Sequence, residues 1–303
     1  MSVAVVVGAG GTGAATATLL AEAGHEVRLV TRRGTGPAHP GITRVAADAS
    51  DAGRLTELSA GARTLINCAA PPYHRWAAEF PPLAAAVLKA AEAVGADYVL
   101  LDNLYGYGQV EQPMTEETPL APTSRKGAVR ARLWNDALAA HRAGRVRVTT
   151  VRAGDFVGAG AVSVFTLTVA PKVLAGKPVL APAALDLPHS WTGTRDAARA
   201  LVAVSRDDRA WGRVWHAPTN RALSVRELVN RFAAVARVPE PKLRAMPMWL
   251  LKAAGLTSPM IRELPEMQYQ FRRPFILDSS HTERTFDLEP TPLDDLLREN
   301  AGG

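Results

Sequence analysis

The feature that most constrains the fold is a glycine-rich loop placed between an apolar run and a helical pattern near the start of the chain. The apolar run covers residues 3–7, and residues 11–23 have helical periodicity. In such a loop one glycine permits a tight turn, one lets the backbone approach a pyrophosphate, and one lets the helix pack closely on the strand. The free N–H groups and the positive end of the helix dipole then face the phosphates. This context predicts a dinucleotide-binding loop formed by Gly8, Gly10, Gly11, Thr12 and Gly13, with a plain glycine turn as the alternative.

The first half of the chain alternates short apolar runs with longer helical patterns. Strands are predicted at residues 3–7, 26–31, 43–46, 64–68, 98–101 and 147–151, and helices at 11–23, 52–59, 79–94 and 124–143. This alternation implies parallel pairing with right-handed crossovers. Strands that are apolar almost throughout imply a sheet covered on both faces. The sequence therefore predicts an α/β fold with a Rossmann-type, doubly wound parallel sheet.

The pattern changes after about residue 151, where proline-rich loops separate further helices. These helices are predicted at residues 162–175, 194–204, 224–236, 248–254, 260–270 and 292–300, and Ser224 and Glu227 are spaced as a capping box. We expect a dinucleotide-binding domain over residues 1–160, with return segments near 187–217 that carry Trp191 and Trp215 on strands of the sheet. Residues 161–303 are expected to form mainly a smaller C-terminal α/β substrate lobe, interleaved with the first domain.

The residues after the second predicted strand bear on the choice of cofactor. NAD-binding proteins tend to place an acidic residue there for the ribose 2′-hydroxyl, whereas this chain has Arg32 and Arg33. Arginine offers charge-assisted hydrogen bonds to a 2′-phosphate, so the pair favours NADP(H) over NAD(H), with a solvated pair as the alternative. Asp48 could hold the adenine amino group or cap the next helix. Ala69 and Ala70 are small enough to let the cofactor lie against the sheet.

Composition limits the classes of partner. The net charge is +6, but the basic residues are scattered in short clusters, which favours an anionic cofactor and a small-molecule substrate over nucleic acid. No apolar stretch reaches the roughly 18 residues of a membrane span. The single cysteine fits a reducing, cytoplasmic location. No metal-ligand cluster is evident, and a homodimer is a possible assembly.

Several later motifs carry a family resemblance. They lie at residues 66–69, 104–108, 113–122, 151–158, 196–201 and 223–228. With the glycine loop they resemble the extended or atypical short-chain dehydrogenase/reductase superfamily, and more narrowly its NAD-dependent epimerase/dehydratase-like branch. The resemblance implies a Tyr-x-x-x-Lys pair on the helix after the proline-spaced loop, in which the tyrosine transfers a proton. Four-residue spacing places both side chains on one helix face.

The sequence departs from that pattern at the catalytic pair. Lys126 stands where the tyrosine is expected and Arg130 where the lysine is expected. The upstream serine or threonine of the family corresponds to Asp102 or Asn103. A Lys-x-x-x-Arg pattern here is similar to the NmrA-like and isoflavone-reductase-like reductases, which implies a lysine acid/base beside the nicotinamide. Burial and the cation at Arg130 would favour a neutral amine able to exchange a proton. The alternative is an exposed basic face made by Arg125, Lys126, Arg130 and Arg132.

Other groups are expected near the same pocket. Residues 71–76 follow the fourth strand, at the edge where such sheets bind ligands, so His74 could act as an acid/base or orient the substrate. Tyr105 and Tyr107 are alternative proton donors, although Tyr107 better fits a structural Tyr-Gly pair. Residues 189–191 are expected to line the interface between the lobes.

Together these features predict an NADPH-dependent oxidoreductase. It would transfer a hydride to a small organic substrate such as a carbonyl or conjugated alkene. Lys126 would be the proton donor or acceptor, Arg130 would tune it, and Asn103 would hydrogen-bond the substrate oxygen. One alternative is a nucleotide-sugar epimerase or dehydratase that retains NAD. Another is a non-catalytic protein that senses NADP or binds a partner.

Overall fold

A computed structural model describes residues 2–302, and the strands within this range fall into one large sheet and two small ones. The strands are β1 (Val3–Val7), β2 (Glu26–Thr31), β3 (Ile42–Ala46), β4 (Ala62–Asn67), β5 (Asp97–Asn103), β6 (Val148–Ala153), β7 (Asp155–Val157), β8 (Val179–Ala181), β9 (Trp191–Gly193), β10 (Val214–His216) and β11 (Leu243–Ala245).

The large sheet is parallel throughout, with the strand order β10-β6-β5-β4-β1-β2-β3. The chain leaves β1 toward β2 and β3 and then crosses back to place β4 on the other side of β1. The gap between β1 and β4 is therefore the point where the winding reverses, and ligands of such sheets bind at the carboxyl ends of the strands there. The predicted doubly wound parallel sheet is confirmed.

Helices cover both faces of this sheet. They are α1 (Gly11–Glu22), α2 (Ala52–Leu58), α3 (Trp76–Val94), α4 (Arg125–Arg142), α5 (Ala170–Leu174), α6 (Thr194–Val204), α7 (Val225–Val235), α8 (Met248–Ala254), α9 (Pro259–Arg262), α10 (Tyr269–Arg272), α11 (Ser280–Phe286) and α12 (Leu293–Gly302). On one face α1 packs against α6, and on the other α2, α3 and α4 pack side by side. Val5 and Val6 are fully buried on opposite faces of β1, as a strand covered on both sides requires.

Residues from the later segments form a second hydrophobic core, separate from the cores that cover the large sheet. It contains Phe165, Trp191 and Phe232, with Leu228 of α7 and Leu296 of α12 packed among them. The predicted capping box at Ser224 and Glu227 is present at the start of α7. No helix within residues 2–302 is long and apolar enough to cross a membrane.

Three sequence predictions need correction in this half. Trp215 lies on β10 of the large sheet, but Trp191 lies on β9, which pairs with β7 in a separate small sheet. The helix expected at 260–270 is broken into α9, a single turn at Pro265–Met267 and α10, because proline lacks the N–H that a continuing helix needs. The helix expected at 162–175 becomes a π-helical turn, Phe165–Val169, followed by α5.

His216, on β10, is expected to make folding stability depend on pH. Its Nδ1–H donates to the Asp278 carbonyl at 2.8 Å, and its Nε2 accepts from the Tyr107 hydroxyl at 2.7 Å. Burial lowers the pKa of His216 to about 4, against 6.5 for a free histidine. Between these two pKa values the unfolded chain binds a proton at this histidine that the folded chain excludes. The neutral histidine therefore contributes to folding stability fully above pH 6.5, and this contribution is lost as the pH falls from 6.5 toward 4.

The expected loss is about 3 kcal/mol in the free energy of unfolding across that window. Urea unfolding between pH 7 and pH 4 would measure it. His216→Gln, which cannot titrate, should have a shallower pH dependence than the wild type. Parallel curves for the two proteins would contradict the assignment.

Candidate functional site

The candidate site lies at the carboxyl edge of the large sheet. Because β1, β4, β5 and β6 are adjacent and parallel, the segments that follow them meet at this edge. Those segments are the glycine loop at residues 8–13, residues 68–75, residues 103–107 and Asp155. The edge therefore joins the predicted dinucleotide site to the predicted catalytic residues.

The glycine loop has the geometry that a pyrophosphate requires. Gly8 has φ +94°, which favours glycine, and a Cβ there would lie 2.7 Å from the Ala69 Cα. A Cβ on Gly13 would lie 2.1 Å from the Gly8 carbonyl oxygen, so only glycine lets α1 pack this closely. α1 begins at Gly11, and the N-cap residue Gly10 provides no side chain to occupy its N–H groups. This open helix N-terminus fits an anionic cofactor.

Gly11 has a second role that the motif does not reveal. A Cβ on Gly11 would lie 2.6 Å from the Gly160 carbonyl oxygen, because the loop after β7 approaches the start of α1. That loop is held by the Thr194 hydroxyl, which donates to the Ala159 carbonyl at 2.9 Å, and by Asn300, whose side chain bonds Gly158. The loop thus limits the space beside the glycine loop from the opposite side.

Most of the other residues predicted to contact the cofactor lie on the surface. Arg32 and Arg33 are exposed directly after β2, Ala69 is half-buried and Ala70 is exposed. Asp48 accepts hydrogen bonds from the Ser50 amide and hydroxyl, and these bonds, together with the charge of Arg32, hold the pKa of Asp48 below its usual value. Asp51, and not Asp48, caps α2, so the capping alternative for Asp48 is wrong.

Lys126 is buried in the first turn of α4, with its side chain 5% exposed. Its Nζ forms ion pairs with Glu263 and with Glu266, the latter at 3.3 Å, and lies 4.6 Å from the centre of the Tyr73 ring. The backbone N–H of Lys126 also donates to Glu266 at 3.1 Å. The exposed basic face considered as an alternative is therefore wrong for this residue. Two carboxylates also meet the amine, whereas the prediction from the sequence rested only on burial and the cation at Arg130.

Arg130 lies one turn further along α4, but its guanidinium contacts different residues from those that surround Lys126. It pairs with Asp102 at 3.4 Å and lies 4.5 Å and 4.3 Å from the ring centres of Trp76 and Phe80. Asp102 also pairs with Arg152 at 3.3 Å, and all three charged groups are buried. The contacts of Arg130 thus place it in a buried ion-pair network rather than among the partners of Lys126.

The remaining two predicted catalytic residues differ in position. Asn103 ends β5, and its Oδ1 accepts from the Tyr105 N–H at 3.1 Å, so its amide NH₂ is the group left for a ligand. Asp102 is engaged by two arginines, which makes Asn103 the better match to the upstream serine or threonine. His74 is exposed and has no hydrogen bond or ion pair to the site among the described residues. Its neighbour Tyr73 contacts the site instead.

Further polar side chains join Lys126 in one connected group, called here the polar cluster. Its members are Tyr73, Tyr105, Lys126, Asp155, His189, Glu263, Glu266 and Gln270. The Asp155 carboxylate lies 3.0 Å from the His189 Nε2, and the His189 Nδ1 lies 3.2 Å from the Gln270 carbonyl. His189 stacks on Phe271 with ring centres 4.7 Å apart, which fixes its orientation.

The phenols of the polar cluster hold their protons tightly. Burial raises the pKa of Tyr105 to about 12, and the charge of Asp155 acts in the same direction. Burial and the neighbouring Tyr105 also raise the pKa of Tyr73. Both hydroxyls therefore stay protonated at neutral pH and can donate hydrogen bonds. Tyr107 is fully buried and hydrogen-bonds His216, which confirms its structural role.

Sequence patterns pointed to only part of the polar cluster. Glu263 and Glu266 fell within the helix predicted at residues 260–270 and were not predicted as site residues. In the structure they lie on either side of Pro265, where that helix is broken, and both contact Lys126. Asp155 had a usable signal, because it lies two residues beyond β6, and residues that follow the strands of such a sheet lie at the ligand-binding edge.

Comparison with known proteins was consistent with this architecture. The model of the NAD dependent epimerase/dehydratase family matches residues 4–215. No curated protein matched the chain. Among solved structures, dTDP-glucose 4,6-dehydratase from Bacillus anthracis in complex with NAD is similar, with a TM-score of 0.79 and 16% identity over 100% of this chain and 96% of that one.

Two epimerases show the same similarity. UDP-glucuronic acid 4-epimerase from Bacillus cereus, a variant in complex with a fluorinated UDP-glucuronic acid and NAD, has a TM-score of 0.81 and 14% identity, covering 100% of this chain and 98% of that one. UDP-glucose 4-epimerase from Bifidobacterium longum, in complex with NAD+ and UDP, has a TM-score of 0.79 and 17% identity, covering 99% and 97%. At these identities the structures establish the fold alone. The family match spans most of the chain, and the protein therefore belongs to the NAD dependent epimerase/dehydratase family.

Proposed function

We propose that this protein is a nicotinamide-dinucleotide-dependent oxidoreductase that moves a hydride to or from a carbon bearing a hydroxyl or carbonyl oxygen. The observation that carries the proposal is the position of Lys126, buried at the sheet edge that also carries the glycine loop. The family match and the NAD-bound structures of similar fold support the cofactor class.

The chain's own residues have separable roles in this proposal. The cofactor supplies the hydride chemistry, and the open N-terminus of α1 would hold its pyrophosphate. As an ion-paired ammonium, Lys126 carries the proton that a carbonyl oxygen takes up when a hydride reaches its carbon. The Asn103 amide would orient that oxygen, and Arg130 would hold α3, α4 and β5 together around it. In the oxidation direction the proton and the hydride move the opposite way.

Two observations favour different cofactors. The family description and the structures of similar fold name NAD. The exposed Arg32 and Arg33 after β2 favour a 2′-phosphate and therefore NADP(H), since no acidic residue stands there for a ribose hydroxyl. We propose NADP(H) on the evidence of the arginines, which belong to this chain.

Titration of the purified protein with NADPH and NADH, followed by tryptophan fluorescence, tests that choice. One charge-assisted hydrogen bond is worth about 1.5–3 kcal/mol, so NADPH should bind about tenfold to a hundredfold more tightly. Arg32→Ala and Arg33→Ala should reduce this preference, whereas the exposed Arg54→Ala on α2 should not. Equal binding, or tighter binding of NADH, would contradict the proposed preference for NADP(H) and favour the NAD-retaining epimerase or dehydratase.

A nucleotide-sugar epimerase or dehydratase that retains NAD is the second candidate. It is favoured by the solved structures of similar fold, which are described as dehydratases and epimerases of this type. Lys126, at the position where the family tyrosine is expected from the sequence, weighs against it. Cofactor that remains bound through purification and dialysis, together with conversion of a UDP-sugar without net change in the cofactor, would support this candidate over the first.

A further inference from the structure

We infer that the polar cluster selects a substrate carrying a protonated amine and rejects nucleoside-diphosphate sugars. The inference rests on the proposed function, because it concerns the substrate of the same site. Its first support is the balance of charge. Three carboxylates, Asp155, Glu263 and Glu266, reach the cluster with 16–26% of each side chain exposed, against the single ammonium of Lys126.

The histidine does not remove this imbalance. Even when Asp155 and His189 are counted as a neutral pair, Glu263 and Glu266 together exceed Lys126 by one negative charge. A diphosphate would add further negative charge to this cluster, and like charges brought together in an interface oppose binding strongly.

The buried arginines Arg130 and Arg152 are engaged by a carboxylate and are not free to bind a diphosphate. Arg130 and Arg152 are buried and share Asp102, at 3.4 Å and 3.3 Å. Withdrawing either guanidinium to reach a phosphate would leave the buried Asp102 carboxylate with fewer partners, which is costly in a dry environment.

An unsatisfied acceptor provides a second, independent indication of the ligand. Gln270 is 3% exposed, its side chain lies beside the Tyr105 hydroxyl, and its Oε1 has no hydrogen-bond partner among the described residues. A buried acceptor without a donor costs free energy, and a ligand N–H would satisfy it.

The environment of Lys126 shows that this site suits an ammonium group. Its Nζ lies between two carboxylates and over the Tyr73 ring at 4.6 Å. Carboxylates and the face of an aromatic ring are the groups that recognise organic cations. A substrate amine placed near Asp155, Tyr105 and Gln270 would meet the same kinds of group.

Matched alcohols that differ only in charge test the inference. The probes are trans-4-aminocyclohexanol, trans-4-methylcyclohexanol and trans-4-hydroxycyclohexanecarboxylate, with UDP-glucose as the nucleotide sugar. Binding to the protein saturated with oxidised cofactor would be measured by calorimetry, and hydride transfer by the appearance of reduced cofactor. The amine should bind at least about tenfold more tightly than the methyl compound, and the two anions more weakly than either.

Variants that replace a carboxylate of the polar cluster with a neutral amide test which residues cause the preference for the amine. Asp155→Asn and Glu263→Gln should reduce the preference for the amine and strengthen binding of UDP-glucose. The surface carboxylates Asp186 and Glu57 provide matched controls, because Asp186→Asn and Glu57→Gln alter exposed ion pairs outside the cluster. Equal affinities for the three alcohols, tighter binding of UDP-glucose, or no binding of the amine would overturn the inference.

The two readouts separate this inference from the proposed function. Selective binding of the amine without hydride transfer from any alcohol supports the inference and contradicts the oxidoreductase. Hydride transfer from alcohols with no preference for charge supports the oxidoreductase and overturns the inference.

Discussion

Replacing Lys126 with methionine is expected to lower turnover by about a hundredfold to ten-thousandfold, the range that a general acid or base contributes, while the affinity for the dinucleotide is retained. The side chain is buried at the sheet edge, so methionine fills a similar volume without a proton to exchange. Steady-state kinetics with a substrate found by screening, together with cofactor titration of the same variant, would measure both quantities.

Lys126→Arg distinguishes proton transfer from a purely structural ion pair. Arginine keeps the positive charge opposite Glu263 and Glu266 but does not lose its proton in proteins. It should therefore preserve stability and still lose turnover. Arg125→Met, at the exposed neighbouring position, should leave both unchanged. Turnover retained in Lys126→Arg would remove Lys126 from the chemistry and leave it a positioning role.

Gly13→Ala is expected to disrupt the dinucleotide site and destabilise the fold. The added Cβ would lie 2.1 Å from the Gly8 carbonyl oxygen and 3.0 Å from the Cys68 Cβ, so α1 must move away from β1. Overpacking of this kind costs about 1–3 kcal/mol, and here it displaces the helix N-terminus that would hold the phosphates. Urea unfolding and cofactor titration should both show a loss.

Gly10→Ala separates binding from stability. A Cβ on Gly10 meets no atom within 4 Å, and its backbone is extended, with φ −66° and ψ 178°. The variant should unfold like the wild type yet bind the dinucleotide more weakly, because the Cβ projects where the pyrophosphate would approach. Unchanged affinity in Gly10→Ala would show that the cofactor does not approach this part of the loop.

The sequence determined those parts of the protein that depend on local periodicity. Apolar strands that alternate with helices specify a covered parallel sheet, and the glycine spacing specifies the turn into α1. For this reason β1, β2 and α6 begin and end where the patterns predict. It also placed Lys126 and Arg130 on one helix, since positions four apart share a face.

Only the tertiary structure decided what those side chains contact. Lys126 meets Glu263 from 137 positions away, and Asp155 meets His189 from 34 positions away. Periodicity reports which face of an element is apolar, but it contains no information about which distant polar side chains will meet. Those contacts arise because the chain buries its apolar surface as a whole, which brings Glu263 and Glu266 to Lys126. The fold and the glycine loop were therefore readable from the sequence, whereas the charge of the polar cluster was not.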